Sequence, residues 1–195
     1  MMNELLGLAG FAFVGSITPG PNNALLWASG IRFGFRRTAP HVVGTAVGMA
    51  ALVLAVAAGI GALLTAVPGA EVALKVAGSA YLLWLATRMV RGLHAGRAVA
   101  ARPLGVLGGA AFQFANPKAW LFTLAAVGTF LPRHAPVAGA LAMAATCAVV
   151  MVATAAVWAA GGATLNRIVS TRRAERAVSA ALALVLAASV AFIWA

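Results

Sequence analysis

"SITPGPNNALL" runs from Ser16 to Leu26, and how it is read decides the fold. No charged residue occurs between Glu4 and Arg32. That stretch is long enough for one membrane-spanning helix, which needs about 20 residues. Thr18 lies roughly 21 Å along such a helix from Glu4, at 1.5 Å per residue, in a hydrocarbon core about 30 Å thick. The tripeptide Pro19-Gly20-Pro21 therefore breaks the helix well inside the membrane. Each proline lacks an N–H and releases a carbonyl one turn earlier, near Gly15 and Ile17. Thr18 is biased away from helical geometry by the proline after it, and Gly20 lets the backbone turn. A new helix starting near Pro21 presents the free N–H groups of Asn22, Asn23 and Ala24. Lipid does not tolerate bare backbone groups, and a helix N-terminus favours an anion. Thr18, Pro19, Gly20, Pro21, Asn22 and Asn23 are thus expected to form a site for a carboxylate. The freed carbonyls near Gly15 and Ile17 would take an ammonium.

The surrounding composition supports a membrane. Of 195 residues, 63% are hydrophobic and 9% charged, with a mean hydropathy of +0.99; soluble domains carry about 25% charged residues. The net charge is +11. In a soluble protein that would suggest nucleic acid. Here the arginines lie in short gaps between apolar runs, so loops at anionic lipid account for them and nucleic acid is not expected as a partner. Glu4 occupies the place of a signal peptide's basic segment, so the first run is expected to be a mature span.

Gaps between charges predict six helices. They run from Glu4 to Arg32, Thr38 to Ala70, Val72 to Thr87, Pro103 to Leu131, Ala135 to Asn166 and Ala177 to Ala195. Arg32, Arg36, Arg37, Arg88, Arg91, Arg97, Arg102, Arg167, Arg172, Arg173 and Arg176 fall on one side, and Lys75 and Arg133 on the other. The excess of basic residues in cytoplasmic loops then places both termini on the periplasmic or exterior side.

Shifting the first half by 98 positions brings Thr18-Pro19 onto Asn116-Pro117, Gly10 onto Gly108 and Gly30 onto Gly128. Three spans per half is an odd number, so the second half enters from the opposite side. The expected fold is an all-α polytopic membrane protein of six transmembrane helices, built as two inverted-topology three-helix repeats with helices 1 and 4 broken. Residues 1–195 would form one transporter domain, with repeat one at 1–97 and repeat two at 98–195.

The second break reads "ANPKAW", Ala115 to Trp120. Asn116 suits a helix N-cap and Pro117 the first helical position. Lys118 then puts a cation at the unfavourable end of the dipole and near the bilayer centre, where a charge costs at least about 2.5 kcal/mol. Two penalties at one residue point to a compensating anion. Gln113, about one turn earlier, either lines the same cavity or bonds a neighbouring helix. Pro117 and Lys118 join Asn116 and Gln113 as candidate substrate-binding residues.

Other signals are weaker. "GTAVG", Gly44 to Gly48, is a small-residue face for close helix contact. His41, His94 and His134 lie near span ends and are expected at the interface. Trp27, Trp84, Trp158 and Trp194 fit aromatic belts or lipid-facing surface. Cys147 stands alone, which excludes an intrachain disulfide. There is no aspartate, and Glu4, Glu71 and Glu175 all lie outside mid-membrane depth. No metal site or catalytic pair can be assembled, so neither an enzyme nor a cofactor is expected.

With these residues in view, the chain resembles the LysE/RhtB family of bacterial amino-acid exporters. "TPGPNN" with "GIRFGFRRTAPHVVGTAVG" looks like the family's N-terminal signature, "LKVAGSAYLLWLATRMVR" is similar to its third span, and "FANPKAWLF" looks like its second half-signature. The resemblance implies efflux of an amino acid or close derivative across the bacterial inner membrane, driven by the proton-motive force, with protons as coupling ion. Exporters of basic amino acids in the family tend to carry an acid in the second span. Nothing acidic lies between Arg37 and Glu71 here, so a neutral zwitterion is the expected substrate. The proton carrier stays open, with Lys118 and the substrate's own groups as the evident candidates. An uncoupled channel or uniporter for a small metabolite and a non-transporting scaffold subunit remain alternatives. Homodimer formation is also left open.

Overall fold

Residues 2–17 carry one charge, Glu4, in the first turn where the helix dipole favours an acid; they form α1 (Met2–Ile17). The computed structural model describes residues 2–60, 66–69, 72–73, 75–80, 83–84, 86–87, 102–168, 177, 180–181, 183–185, 187–188, 190–191 and 194. After α1 come α2 (Pro21–Ala55), a short π-helical segment (Val56–Ile60), α3 (Val106–Ala115), α4 (Pro117–Phe130) and α5 (Pro136–Ile168). All described residues between 72 and 87 and between 177 and 194 are helical. Among the described residues every regular element is helical, which agrees with an all-α membrane protein.

The helix α2 is two helices. The continuous run Pro21–Ile60 has 40 residues and would measure about 60 Å if straight, twice the hydrocarbon thickness. Two hydrogen bonds show that it folds back. Ser29 Oγ and Thr38 Oγ1 lie 2.9 Å apart, and Thr45 Oγ1 donates to Asn22 Oδ1 at 3.2 Å. Both pairs centre between residues 33 and 34, which is the mark of an antiparallel hairpin. The reversal is made by Gly34, at φ 76 and ψ 168, a conformation that glycine adopts without a steric penalty. The loop expected across Arg32–Arg37 is thus a single residue joining two arms, 21–33 and 35–55.

The second span kinks in the π segment, where Gly59 has φ 104, and Ala66 is again helical. Pro68-Gly69 forms a turn as its composition suggested, with Gly69 at φ 84. The repeat boundary at residue 97 lies outside the described residues. So do Glu71, His94, and the arginines at 88, 91, 97, 172, 173 and 176.

Glycines set the packing. A Cβ on Gly44 would strike Val106 O, and one on Gly48 would stand 2.6 Å from Ala110 O. Both pairs have the same offset of 62 positions, so the second arm of α2 and α3 run parallel in close backbone contact. The small-residue face "GTAVG" is that contact. A Cβ on Gly7 would meet Phe130, and one on Gly15 would meet Phe122. These pairs share one centre, between residues 68 and 69, so α1 and α4 run antiparallel. The main apolar core joins α1, α2, α4 and α5 through Leu8, Leu52, Trp120, Met143 and Cys147. Outward faces stay apolar, with Leu107 84% and Val149 71% exposed, as lipid contact requires.

Candidate functional site

Both breaks exist. Thr18, Pro19 and Gly20 interrupt α1 and α2, and Asn116 interrupts α3 and α4. The antiparallel register of α1 and α4 carries one break onto the other: Gly20 lies against the Lys118 side chain, whose Nζ would be 3.1 Å from an added Cβ.

Lys118 reaches across and binds the first break. Its Nζ donates to Thr18 O at 3.0 Å, Thr18 Oγ1 at 2.9 Å and Pro19 O at 3.1 Å. An ammonium has three donors, and all three are used. The sequence suggested a compensating anion. The compensation seen is a cage of oxygens at the C-terminal end of α1, where the helix dipole favours a cation. Snorkelling is not what this side chain does, since it points to the other break.

The freed carbonyls are also answered from within, which corrects the expectation that Gly15 and Ile17 stand open for an ammonium. Gly15 O accepts from Thr18 Oγ1 at 3.0 Å. Ile17 O accepts from Trp158 Nε1 at 3.2 Å. Asn23 Nδ2 donates to Ser16 O at 2.7 Å and to Thr18 O at 2.8 Å. Trp158 was expected in a belt or facing lipid; instead it caps the end of α1 and meets Trp27 edge-on at 5.5 Å. Trp120 does the same for the second break, donating to Phe114 O at 2.8 Å.

The two helix starts differ. Asn116 caps α4 by accepting from Lys118 N at 3.2 Å, and its carbonyl accepts from Ala119 N and Trp120 N. At α2 the Ala24 N–H is bonded to Gly20 O at 2.9 Å, so it is not free as expected. Gly20 offers no side-chain cap. Among the described residues nothing accepts from the N–H groups of Asn22 and Asn23. The open donors of the site are therefore at the first break.

A cavity of about 40 Å³ lies between the breaks, and Gly20, Pro21, Asn22, Asn23, Gln113, Asn116 and Lys118 line it. Thr18 and Pro19 do not line it but supply oxygens to Lys118. Pro117 packs against Gly78 instead. Apolar residues that the sequence gave no sign of, Met49, Phe122 and Met151, complete the wall. Their spans hold many such residues, and only packing selects these. Gln113 is 1% exposed, and its Oε1 has no hydrogen-bond partner among the described residues. The volume suits about three waters, at 10–15 Å³ of occupied space each, too little for an amino acid.

His41 was expected at the interface and is 1% exposed between helices. His134 is exposed. Among the described residues no three His, Cys, Asp or Glu side chains group to hold a metal.

Comparison with known proteins gives a consistent answer. The family described as LysE type translocator matches residues 13–193. The cysteine/O-acetylserine efflux protein of Escherichia coli (strain K12) is 29% identical over 178 residues, covering 90% of each chain. The proteins of that name from Shigella flexneri and Shigella sonnei (strain Ss046) match to the same extent. No solved structure matches the chain.

Proposed function

Since the chain belongs to the LysE type translocator family, a family of transporters and not enzymes, we propose that it exports a neutral amino acid or close derivative from the cytoplasm in exchange for protons. The observation that carries this reading is the cavity between the two breaks. One end offers the N–H groups of Asn22 and Asn23 at a helix N-terminus, with the Lys118 ammonium beside them. Those groups suit a carboxylate. Gln113 lines the same cavity, and its buried, unpartnered Oε1 is an acceptor that suits an ammonium. Met49, Met151 and Phe122 leave an uncharged wall for the side chain. Cysteine and O-acetylserine, which name the efflux proteins it is similar to, both have uncharged side chains of that kind.

Two packing relations support the inverted repeat. The second arm of α2 lies on α3 at Gly44–Val106 and Gly48–Ala110. The 98-position shift turns these pairs into residues 142 and 8, and 146 and 12. Leu8 and Ala12 do share a core with Met143 and Cys147. The parallel course of α3 and that arm also requires the chain to return across the membrane between them, as a three-span repeat does. Both termini then face the periplasm, and the protein sits in the bacterial inner membrane.

Transport from this cavity needs the Lys118 cage to open, because about 40 Å³ is too small for an amino acid. The test is a panel of amino acids loaded into proteoliposomes, with efflux followed with and without a pH gradient. Export accelerated by an inward proton gradient is the expected result. Transport that ignores the pH gradient would make the protein a uniporter. No transport of any amino acid, with the folded protein inserted, would leave a scaffold.

A further inference from the structure

The second arm of α2 carries a buried stripe that runs from the substrate site to a side chain the site does not use. His41, Thr45 and Met49 recur every four residues, so they lie on one helix face. Met49 lines the cavity. Thr45 Oγ1 shares its hydrogen between His41 O, at 2.9 Å, and Asn22 Oδ1, at 3.2 Å. His41 lies one turn further toward the arginine-rich end. Its ring is 1% exposed, and neither nitrogen has a partner among the described residues. A buried polar atom without a partner is rare and calls for a reason. The ring also occupies a fitted niche: a Cβ on Gly109 would stand 2.8 Å from His41 O and 3.0 Å from His41 Cδ2. Any side chain at position 109 would crowd the imidazole.

We propose that His41 is the proton-binding residue that couples the proton gradient to substrate movement. This rests on the transport reading above. In this conformation the imidazole is buried, with no partner for either nitrogen among the described residues. When the niche opens to water, a ring nitrogen with a free lone pair takes a proton from water and becomes imidazolium. The proton leaves to water on the other side of the membrane in the return conformation. An imidazolium cannot stay in a niche with no acceptor, because a buried charge needs partners or water. Its departure moves the turn that holds Thr45 and draws Thr45 away from Asn22, which bears on the carboxylate end of the site. Arg36 and Arg37 on its own helix and Arg32 on the facing arm are exposed. α3 brings no titratable residue, α4 brings Lys118 and α5 brings Cys147 and Arg167. Among the described residues no carboxylate on these elements holds the proton on His41, which is free to come and go.

The test separates exchange from driven transport, with O-acetylserine as probe. For a one-proton exchange, a pH gradient of one unit sustains up to about a tenfold substrate gradient, since each unit is 1.36 kcal/mol. Wild type should show both counterflow and this accumulation. His41→Gln should keep counterflow and lose the pH-driven gradient. A His41→Gln protein that still builds the gradient overturns the proposal. Loss of both activities in a folded, monodisperse variant also overturns it, by making His41 structural. A measurement that needs no variant at position 41 uses His94→Gln/His134→Gln protein labelled with ¹⁵N-histidine. The single ring signal should convert to imidazolium between about pH 5 and 8 when the probe is added, and a signal that never converts rejects the idea. If wild type exchanges no amino acid, the transport reading fails, and the ¹⁵N titration alone decides His41.

Discussion

Lys118→Met keeps the length of the side chain and removes its ammonium. The structure allows the consequences for folding and for binding to be worked separately. Thr18 O would retain the Asn23 amide, and Thr18 Oγ1 would retain its bond to Gly15 O. Among the described residues only Pro19 O would lose its sole partner. Pro19 is exposed, so its bared carbonyl costs no more than about 1 kcal/mol, while taking a cation out of mid-membrane relieves about 2.5–3.5 kcal/mol. Stability should therefore hold or rise, by no more than about 2.5 kcal/mol. Binding has no such compensation. Truncating one partner of a desolvated charge pair costs about 2–5 kcal/mol, which at 1.4 kcal/mol per tenfold weakens substrate binding by about thirty-fold to several thousand-fold. The assays are thermal unfolding of the purified protein and substrate counterflow in proteoliposomes. Retained or raised stability with lost counterflow is expected. Lys118→Arg should restore part of it, because a planar fork replaces a compact point charge. Wild-type counterflow by the Met variant would show that Lys118 merely staples the two breaks together, and the carboxylate site would have to be placed elsewhere.

Three further outcomes are expected. Replacing Pro19 and Pro21 by alanine and Gly20 by leucine should heal the first helix; stability should hold or rise, since a helix-interior proline costs about 3 kcal/mol, while transport is lost, which unfolding and counterflow measurements together would show. Gly48→Ala should destabilise by about 1–3 kcal/mol through overpacking, because its Cβ would stand 2.6 Å from Ala110 O. Gly10→Ala, with nothing within 4 Å, should stabilise by about 0.5–1 kcal/mol; melting curves that move the same way for both would contradict the packing. Reporter fusions at residue 97 and at the C-terminus should place the first in the cytoplasm and the second outside, and a cytoplasmic C-terminus would reject the topology.

The sequence by itself determined the solvent of this protein and the location of its breaks. Charge scarcity needs no tertiary contact to be read, and neither does a proline's missing N–H. The helices break at Thr18 to Gly20 and at Asn116 because the prolines that follow leave the local backbone no alternative there. What the tertiary structure decided is who answers the groups those breaks release. Trp158 lies 141 positions from Ile17, and Lys118 lies 100 from Thr18; such partners carry no local pattern, since any tryptophan or lysine in an apolar run looks the same in sequence. The expectation of open carbonyls failed for this reason, while among the described residues no distant acceptor reaches the N–H groups of Asn22 and Asn23. His41 looked interfacial from its nearness to Arg36 and Arg37. The one-residue turn at Gly34 and the bare face of Gly109 together carry it into the interior. Distance along the chain fixes depth only if the turn is where charge suggests, and which face of a helix is buried depends on the neighbour that packs there.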